Sequence, residues 1–111
     1  MAESPLFALV VRFTLREDFE DAFDQLVERT VSQVREHEPD TLVYAVHQVD
    51  GHPRQRMFYE LYRDRAAFDD HEARAYVKSF LRAREQLLAA TEVDVLELVT
   101  AKGAPQAEGT S

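Results

Sequence analysis

The stretch Met57–Leu81, MFYELYRDRAAFDDHEARAYVKSFL, decides the fold because it contains a strand, a turn and a helix in succession. Its beginning, Arg56–Tyr62, is rich in aromatic and large apolar side chains and predicts a β-strand. A turn at Arg63-Asp64 follows, and Asp64 is a residue type that accepts hydrogen bonds from the first turn of a helix. From Ala66 the period of the apolar positions changes from two to about 3.6, which predicts that helix.

Before this stretch, the sequence predicts a strand and an amphipathic helix. Leu6–Leu15 has apolar side chains on both faces, which is typical of a strand covered on both sides. After a charged turn at Arg16–Asp18, apolar residues recur at helical spacing as far as His37. We expect Phe19 and Phe23 of this helix to lie in the core.

A second strand precedes the central one. Pro39 prevents the first helix from continuing, and Thr41–Val49 then predicts a strand. The turn residues of Asp50–Pro53 predict a hairpin between this strand and Arg56–Tyr62.

After the central stretch, the sequence predicts a continued helix and a last strand. The helix is expected over Ala73–Ala90 and the strand over Val93–Thr100. The small and polar residues of Gly103–Ser111 predict a flexible tail, which leaves residues 1–102 as a single domain.

The predicted order, β-α-β-β-α-β, is the split βαβ pattern of a ferredoxin-like α+β fold. Such a fold has a four-stranded antiparallel sheet with its helices on one face. Because the strands are apolar on both faces, the second face would be exposed in a monomer. The sequence therefore predicts that this face is covered by a partner.

Composition excludes several classes of function. The net charge of −8 is opposite to what phosphate binding requires, so nucleic acid is not an expected partner. The chain has no cysteine, which excludes disulfides and thiolate chemistry. It has no secretory leader pattern and no apolar run approaching the roughly 20 residues of a membrane span. We expect a cytoplasmic protein without a membrane partner.

Two ionisable residues stand in the apolar central stretch and are the best chemical lead. Glu60 lies in mid-strand between Tyr59 and Leu61, and His71 lies one helical turn after Phe68. The alternative is a buried hydrogen-bonded pair with a structural role. Arg12 interrupts the first strand and is either a rim residue or a cation beside a pocket.

The run Glu60–His71, E-L-Y-x-D-x-x-A-F-x-x-H, resembles the signature of the antibiotic biosynthesis monooxygenase (ABM) family, whose members are dimeric α/β barrels. The likeness in element order extends over about Leu6–Ala101. It implies a homodimer, and a break in the second helix near Glu72–Ala75. Leu81 stands where haem-degrading relatives have a haem-ligating His, so haem is not expected. With no Cys and four scattered His, no metal is expected either. Two further departures are Tyr62, where many relatives have Trp, and Tyr76, where they have a second His.

The ABM family includes oxygenases that need no cofactor and act on phenolic or quinol-type substrates. The resemblance therefore implies a monooxygenase without a cofactor, acting on a small aromatic quinol or phenol. In this interpretation His71 or Glu60 is the catalytic base. The candidate substrate-binding residues are Tyr62, Tyr44, Phe68, Tyr76, Phe80, Arg12 and His47. Two alternatives remain: an isomerase or other proton-transfer enzyme that uses His71, and a non-catalytic dimer that binds a hydrophobic small molecule.

Overall fold

The structure, a computed structural model, describes residues 5–103 of the 111-residue chain. The elements in chain order are β1 (Phe7–Leu15), α1 (Glu20–His37), β2 (Thr41–Val49), β3 (His52–Tyr62), α2 (Arg65–Ala73), α3 (Ala75–Arg84) and β4 (Leu88–Leu96). The strands form one four-stranded antiparallel sheet in the order β2-β3-β1-β4. The predicted ferredoxin-like α+β fold is confirmed.

The core lies between one face of the sheet and the helices. The buried residues of α1 recur at helical spacing and are Phe23, Val27, Thr30 and Val34. The ring of Phe23 lies 5.7 Å from Phe13 of β1 and 6.2 Å from Phe58 of β3. The Phe80 ring of α3 also lies 6.2 Å from Phe58, so α1 and α3 cover the same face of the sheet.

The opposite face of the sheet has no helix against it in the described part of the chain. Val10 pairs with Tyr59 across β1 and β3, and Ala8 pairs with Leu61 in the same register. Side chains alternate along a strand, so these four lie on the face turned away from Phe13 and Phe58.

The edge strand β4 is also poorly covered. Its Val93 and Val95 are 54% and 62% exposed, although they share the face of the sheet that the helices cover elsewhere. The helices therefore leave one side of the sheet open next to β4.

Two predictions in the first half of the chain need correction. β3 begins at His52 rather than Arg56, because the hairpin turn consists only of Asp50 and Gly51, with Gly51 at a φ of 81°. Pro53 is tolerated there because the pairing of β3 with β1 begins further along the strand, at Gln55. Phe19 was expected in the core but is 40% exposed, since α1 begins one residue after it.

Two predictions in the second half are also wrong in their boundaries. α3 ends at Arg84 instead of Ala90, and β4 covers Leu88–Leu96 instead of Val93–Thr100. The Leu-Leu-Ala-Ala run from Leu87 suits a helix by propensity, but Leu88 pairs with Leu15 at the end of β1. Pairing along the full length of β1 satisfies backbone groups that a longer helix would leave open, and it overrides the propensity.

The predicted break in the second helix is confirmed, and it divides that helix into α2 and α3. It lies at Arg74, whose extended backbone, with ψ at 141°, ends α2 and caps α3. No helix within residues 5–103 is long and apolar enough to cross a membrane. The predicted tail lies outside the described residues except for Gly103.

Candidate functional site

A cavity of about 220 Å³ lies between the sheet and the helices α2 and α3. Aromatic and aliphatic side chains form most of its wall, among them Leu9, Val11, Phe58, Phe68, Phe80 and Leu81. The polar side chains that line it are Tyr44, Glu60, His71, Glu72, Arg84 and Thr91. Glu72, Thr91 and Val93 are exposed, so the cavity opens between α2 and β4, whereas Glu60 and His71 are buried at its closed end.

His71 is held by a carboxylate that is not its predicted partner. Its Nδ1 lies 2.8 Å from Oε1 of Glu38, and the two side chains are only 2% and 3% exposed. An ionised carboxylate only accepts hydrogen bonds, so beside it Nδ1 is the donor, and in the neutral imidazole Nε2 then carries the lone pair. Within residues 5–103 no side chain or backbone group hydrogen-bonds Nε2. The arrangement leaves a proton acceptor on a ring that lines the cavity.

Glu38 is fixed by two further hydroxyl groups. Thr41 donates to Oε1 at 2.6 Å, and the hydroxyl of Tyr76 donates to Oε2. With His71, three donors surround one buried carboxylate, which offsets the loss of its hydration. This network fixes both the position of Glu38 and the orientation of the imidazole.

The ring of His71 is also bounded on two sides by tyrosines. Its centroid lies 5.2 Å from the Tyr44 ring and 5.4 Å from the Tyr62 ring. These contacts restrict rotation of the imidazole, so the direction of Nε2 is set by packing as well as by Glu38.

Glu60 has a different environment from Glu38. It is buried beside the cavity and accepts one hydrogen bond, from the Tyr62 hydroxyl to Oε1 at 2.6 Å. Burial raises the pKa of Glu60, and the Tyr62 hydrogen bond and nearby His71 only partly oppose this rise. Burial, together with Glu60, also raises the pKa of Tyr62. The cavity therefore has a buried carboxyl group with a raised pKa and an imidazole paired with another carboxylate.

The structure brings together most of the predicted site residues. Tyr44, Phe68 and Phe80 line the cavity with Glu60 and His71. Tyr62 is fully buried behind the cavity, where it contacts both Glu60 and His71. Tyr76 reaches the site through Glu38 and does not line the cavity.

Arg12 and His47 are not brought to this cavity. Both belong to the sheet face turned away from the helices, where each is the cross-strand neighbour of Met57. Arg12 donates to Oε1 of Gln55 at 2.6 Å, and His47 is exposed. In the single chain they are separated from the cavity by the sheet.

Sequence reasoning missed Glu38, Thr41 and Arg84 as site residues. Glu38 had a usable signal: it follows the last turn of α1, where the helix dipole disfavours a negative charge. An acidic residue just before Pro39 therefore predicts hydrogen-bond donors from other parts of the fold that stabilise its charge.

Within residues 5–103 there is no group of three or more His, Asp or Glu side chains arranged to hold a metal ion. The polar groups at the closed end of the cavity are suited to proton transfer: one imidazole nitrogen with a free lone pair and one carboxyl group.

Fold and site together define the class: a ferredoxin-like α+β protein with a largely apolar cavity, open at one end, and an oriented histidine in its wall. The model of the antibiotic biosynthesis monooxygenase family matches residues 6–83, which is well over half of the chain. The chain belongs to this family, as its sequence resemblance indicated.

Solved structures agree with this fold. The chain is similar to PA3566 from Pseudomonas aeruginosa, with 24% identity and a TM-score of 0.80, covering 90% of this chain and 100% of that one. SO0527 from Shewanella oneidensis is 22% identical with a TM-score of 0.82, covering 88% and 95%. Rv0793 from Mycobacterium tuberculosis is 23% identical with a TM-score of 0.80, covering 86% and 97%. A comparison with curated proteins gives no match.

Proposed function

We propose that this protein is a monooxygenase that needs no cofactor and oxidises a small aromatic quinol or phenol with molecular oxygen. The proposal rests on one observation: Glu38 holds His71 through Nδ1, and the His71 ring, whose Nε2 has no partner within residues 5–103, lines a largely aromatic cavity. Membership in the ABM family supports the same class of reaction.

In the proposed reaction His71 Nε2 accepts a proton from a substrate hydroxyl group, and Glu38 stabilises the imidazolium that forms. The resulting phenolate is electron-rich and transfers electrons to oxygen. For a quinol, oxidation to the quinone releases two electrons, and conversion of one ring C–H to C–OH releases two more. These four electrons reduce O₂ to the inserted oxygen atom and one molecule of water, so the products are a hydroxyquinone and water. Because the substrate supplies all the electrons, the reaction requires no flavin, haem or metal.

The cavity suits a small aromatic substrate. Its volume of about 220 Å³ is below the range of roughly 300–1,000 Å³ usual for sites that bind drug-sized ligands, which favours one or two fused rings. The rings of Phe58, Phe68 and Phe80 offer edges and faces for aromatic contact. An apolar wall also limits the access of water to reactive intermediates.

We further propose that the protein acts as a homodimer. The sheet face with the half-buried Val10 and Tyr59 has no helix against it within residues 5–103, and β4 leaves Val93 and Val95 exposed beside the cavity mouth. A second copy packed against this face would cover apolar surface that is costly to expose.

The test is oxygen uptake with a panel of quinols and phenolic polycycles, using protein treated with a chelator and untreated protein. Incorporation of one labelled oxygen atom from ¹⁸O₂ into the product, at equal rates in both samples, is the expected result. Hydrogen peroxide formation without incorporation would mean an oxidase instead, and loss of uptake after chelation would contradict independence from metal. The absence of uptake with every substrate leads to the second candidate.

The second candidate is a proton-transfer enzyme, such as an isomerase. It is favoured by the presence of both an oriented base, His71, and a carboxyl group with a raised pKa, Glu60, at one end of the cavity. Such an enzyme works without oxygen. Exchange of substrate C–H protons with deuterium from solvent under nitrogen supports this candidate, whereas binding without exchange or oxidation would indicate a non-catalytic binding protein.

A further inference from the structure

Arg84, the last residue of α3, is a half-buried cation in the wall of the cavity. Its guanidinium carbon lies 4.9 Å from the centroid of the Phe13 ring and 5.7 Å from that of Phe80. In the described part of the chain no carboxylate forms an ion pair with it, and no group accepts a hydrogen bond from it. Its polar edge is therefore open to a ligand, while its neighbours are aromatic rings.

Arg56, by contrast, shows how a buried guanidinium is accommodated elsewhere in this chain. Its Nε and Nη2 bind the two carboxylate oxygens of Asp24 at 2.8 and 3.0 Å, and Nη1 donates to two backbone carbonyls. Arg84 has no such set of acceptors. Burial lowers its pKa, and Tyr44, Glu72 and Glu60 oppose this effect only from a distance.

A partly desolvated guanidinium without acceptors is unfavourable, and a planar oxyanion can relieve this by accepting two parallel hydrogen bonds. The two acidic residues of the cavity leave Arg84 available: Glu60 accepts its hydrogen bond from Tyr62, and neither Glu60 nor the exposed Glu72 forms an ion pair with Arg84 within residues 5–103.

We propose that Arg84 binds the carboxylate of an aromatic acid whose ring occupies the cavity against Phe58, Phe68 and Phe80. The substrate of this enzyme would then be a phenol or quinol bearing a carboxylate: Arg84 binds the carboxylate and His71 accepts the hydroxyl proton. That the ring carries a hydroxyl group rests on the proposed function. Binding of the carboxylate to Arg84 can be measured separately, without turnover.

The experiment compares binding of 2-naphthoate with that of 2-naphthamide, which has nearly the same shape and no charge. Calorimetric titrations of the wild-type protein, Arg84→Gln and Arg82→Gln measure both ligands. Arg82 is a matched control because it is exposed, lies on the same helix, and its replacement changes the net charge equally. We expect the wild-type protein and Arg82→Gln to bind the carboxylate roughly ten- to a hundredfold more tightly than the amide, the usual worth of a charged hydrogen-bonded pair.

In Arg84→Gln this preference should disappear while binding of the amide is retained. Equal binding of the two ligands to wild-type protein, binding of neither, or a preference that persists in Arg84→Gln would overturn the proposal. Oxygen uptake with 1,4-dihydroxynaphthalene and its 2-carboxylate separates this inference from the proposed function. Equal oxygen uptake with these two substrates would contradict only the role of Arg84. Tighter binding of 2-naphthoate than of 2-naphthamide, with no oxygen uptake, would contradict only the proposed monooxygenase activity.

Discussion

At the residue scale, the chemistry of His71 depends on a residue 33 positions earlier in the chain, Glu38. The spacing within the Glu60–His71 run placed these two residues at the same site, and both do line the cavity. Alternation along β3 puts Tyr62 on the same face as Glu60, but the run could not reveal that His71 pairs with Glu38, because Glu38 lies outside the run, just after α1. Local periodicity predicts faces of elements, and it carries no information about such long-range contacts.

The role of His71 can be tested by His71→Ala. If Nε2 is the base, turnover should fall by roughly 10²–10⁴-fold, and added imidazole should restore part of it by entering the space that the side chain leaves. Steady-state kinetics and thermal melts of the same preparations provide the measurement. The exposed His52→Ala is the control and should be unchanged in both.

A purely structural role of His71 predicts a different result. The free energy of unfolding would fall by about 1–3 kcal/mol because Glu38 loses a donor, with turnover per folded molecule preserved. Normal turnover in a folded His71→Ala protein would therefore exclude the catalytic role.

Glu60 should make stability depend on pH. In the unfolded chain its pKa is about 4.3, and burial raises this pKa in the folded chain. The folded state thus holds the proton more tightly, so its contribution to stability is complete below about pH 4 and is lost as the pH rises through the folded-state pKa. Glu60→Gln keeps an acceptor for Tyr62 and cannot ionise, so it should remove this loss.

Urea denaturation of the wild-type protein and Glu60→Gln at about pH 4 and about pH 8 measures the effect. We expect the variant to gain stability relative to wild type at the higher pH. If the difference in unfolding free energy between the two proteins is the same at both pH values, Glu60 ionises as readily in the folded chain as in the unfolded chain.

At the scale of elements, the sequence predicted the type and order of every strand and the break at Arg74, while its errors lie at boundaries. Strong periodicity and a Pro identify the end of α1. The end of α3 has no such signal, because Leu87 and Leu88 fit a helix face and a strand equally well. Pairing with Leu15, far away in sequence, decides the boundary.

The start of α2 depends on a single cap that can be tested. Oδ1 of Asp64 accepts a hydrogen bond from the backbone N–H of Ala67 at 2.8 Å. Asp64→Ala should lower the free energy of unfolding by about 1 kcal/mol, the usual value of such a cap. Asp69→Ala is a matched control, since it removes an exposed carboxylate of the same helix whose ion pair, with Arg65, is also exposed, and it should change stability by less than about 0.5 kcal/mol. Equal losses in the two variants would contradict the cap.

Because α2 carries His71, the same variant tests whether this cap also positions the site. Lower turnover at a temperature where Asp64→Ala remains folded would mean that the first turn of α2 helps to orient the base. Unchanged turnover would confine the role of the cap to stability.

At the scale of the whole molecule, the sheet face with the half-buried Val10 and Tyr59 has no helix against it in the described part of the chain. We expect a homodimer at micromolar concentration, with an interface on the order of 2,000 Å² or more in total. Sedimentation equilibrium should give twice the chain mass of 12.8 kDa. A well-folded species of one chain mass would contradict the dimer.

Val10→Lys can test whether this face is the interface. In the folded chain the new lysine would lie between Tyr59 and Asp94, its cross-strand neighbours, so the single chain can accommodate its charge. Against an apolar partner surface the same charge would be buried without compensation and should weaken association at least tenfold. Gln33→Lys, an equal change of charge on the exposed side of α1, should leave association unaltered. If Val10→Lys also sediments as a dimer of unchanged affinity, the two copies associate through a different surface.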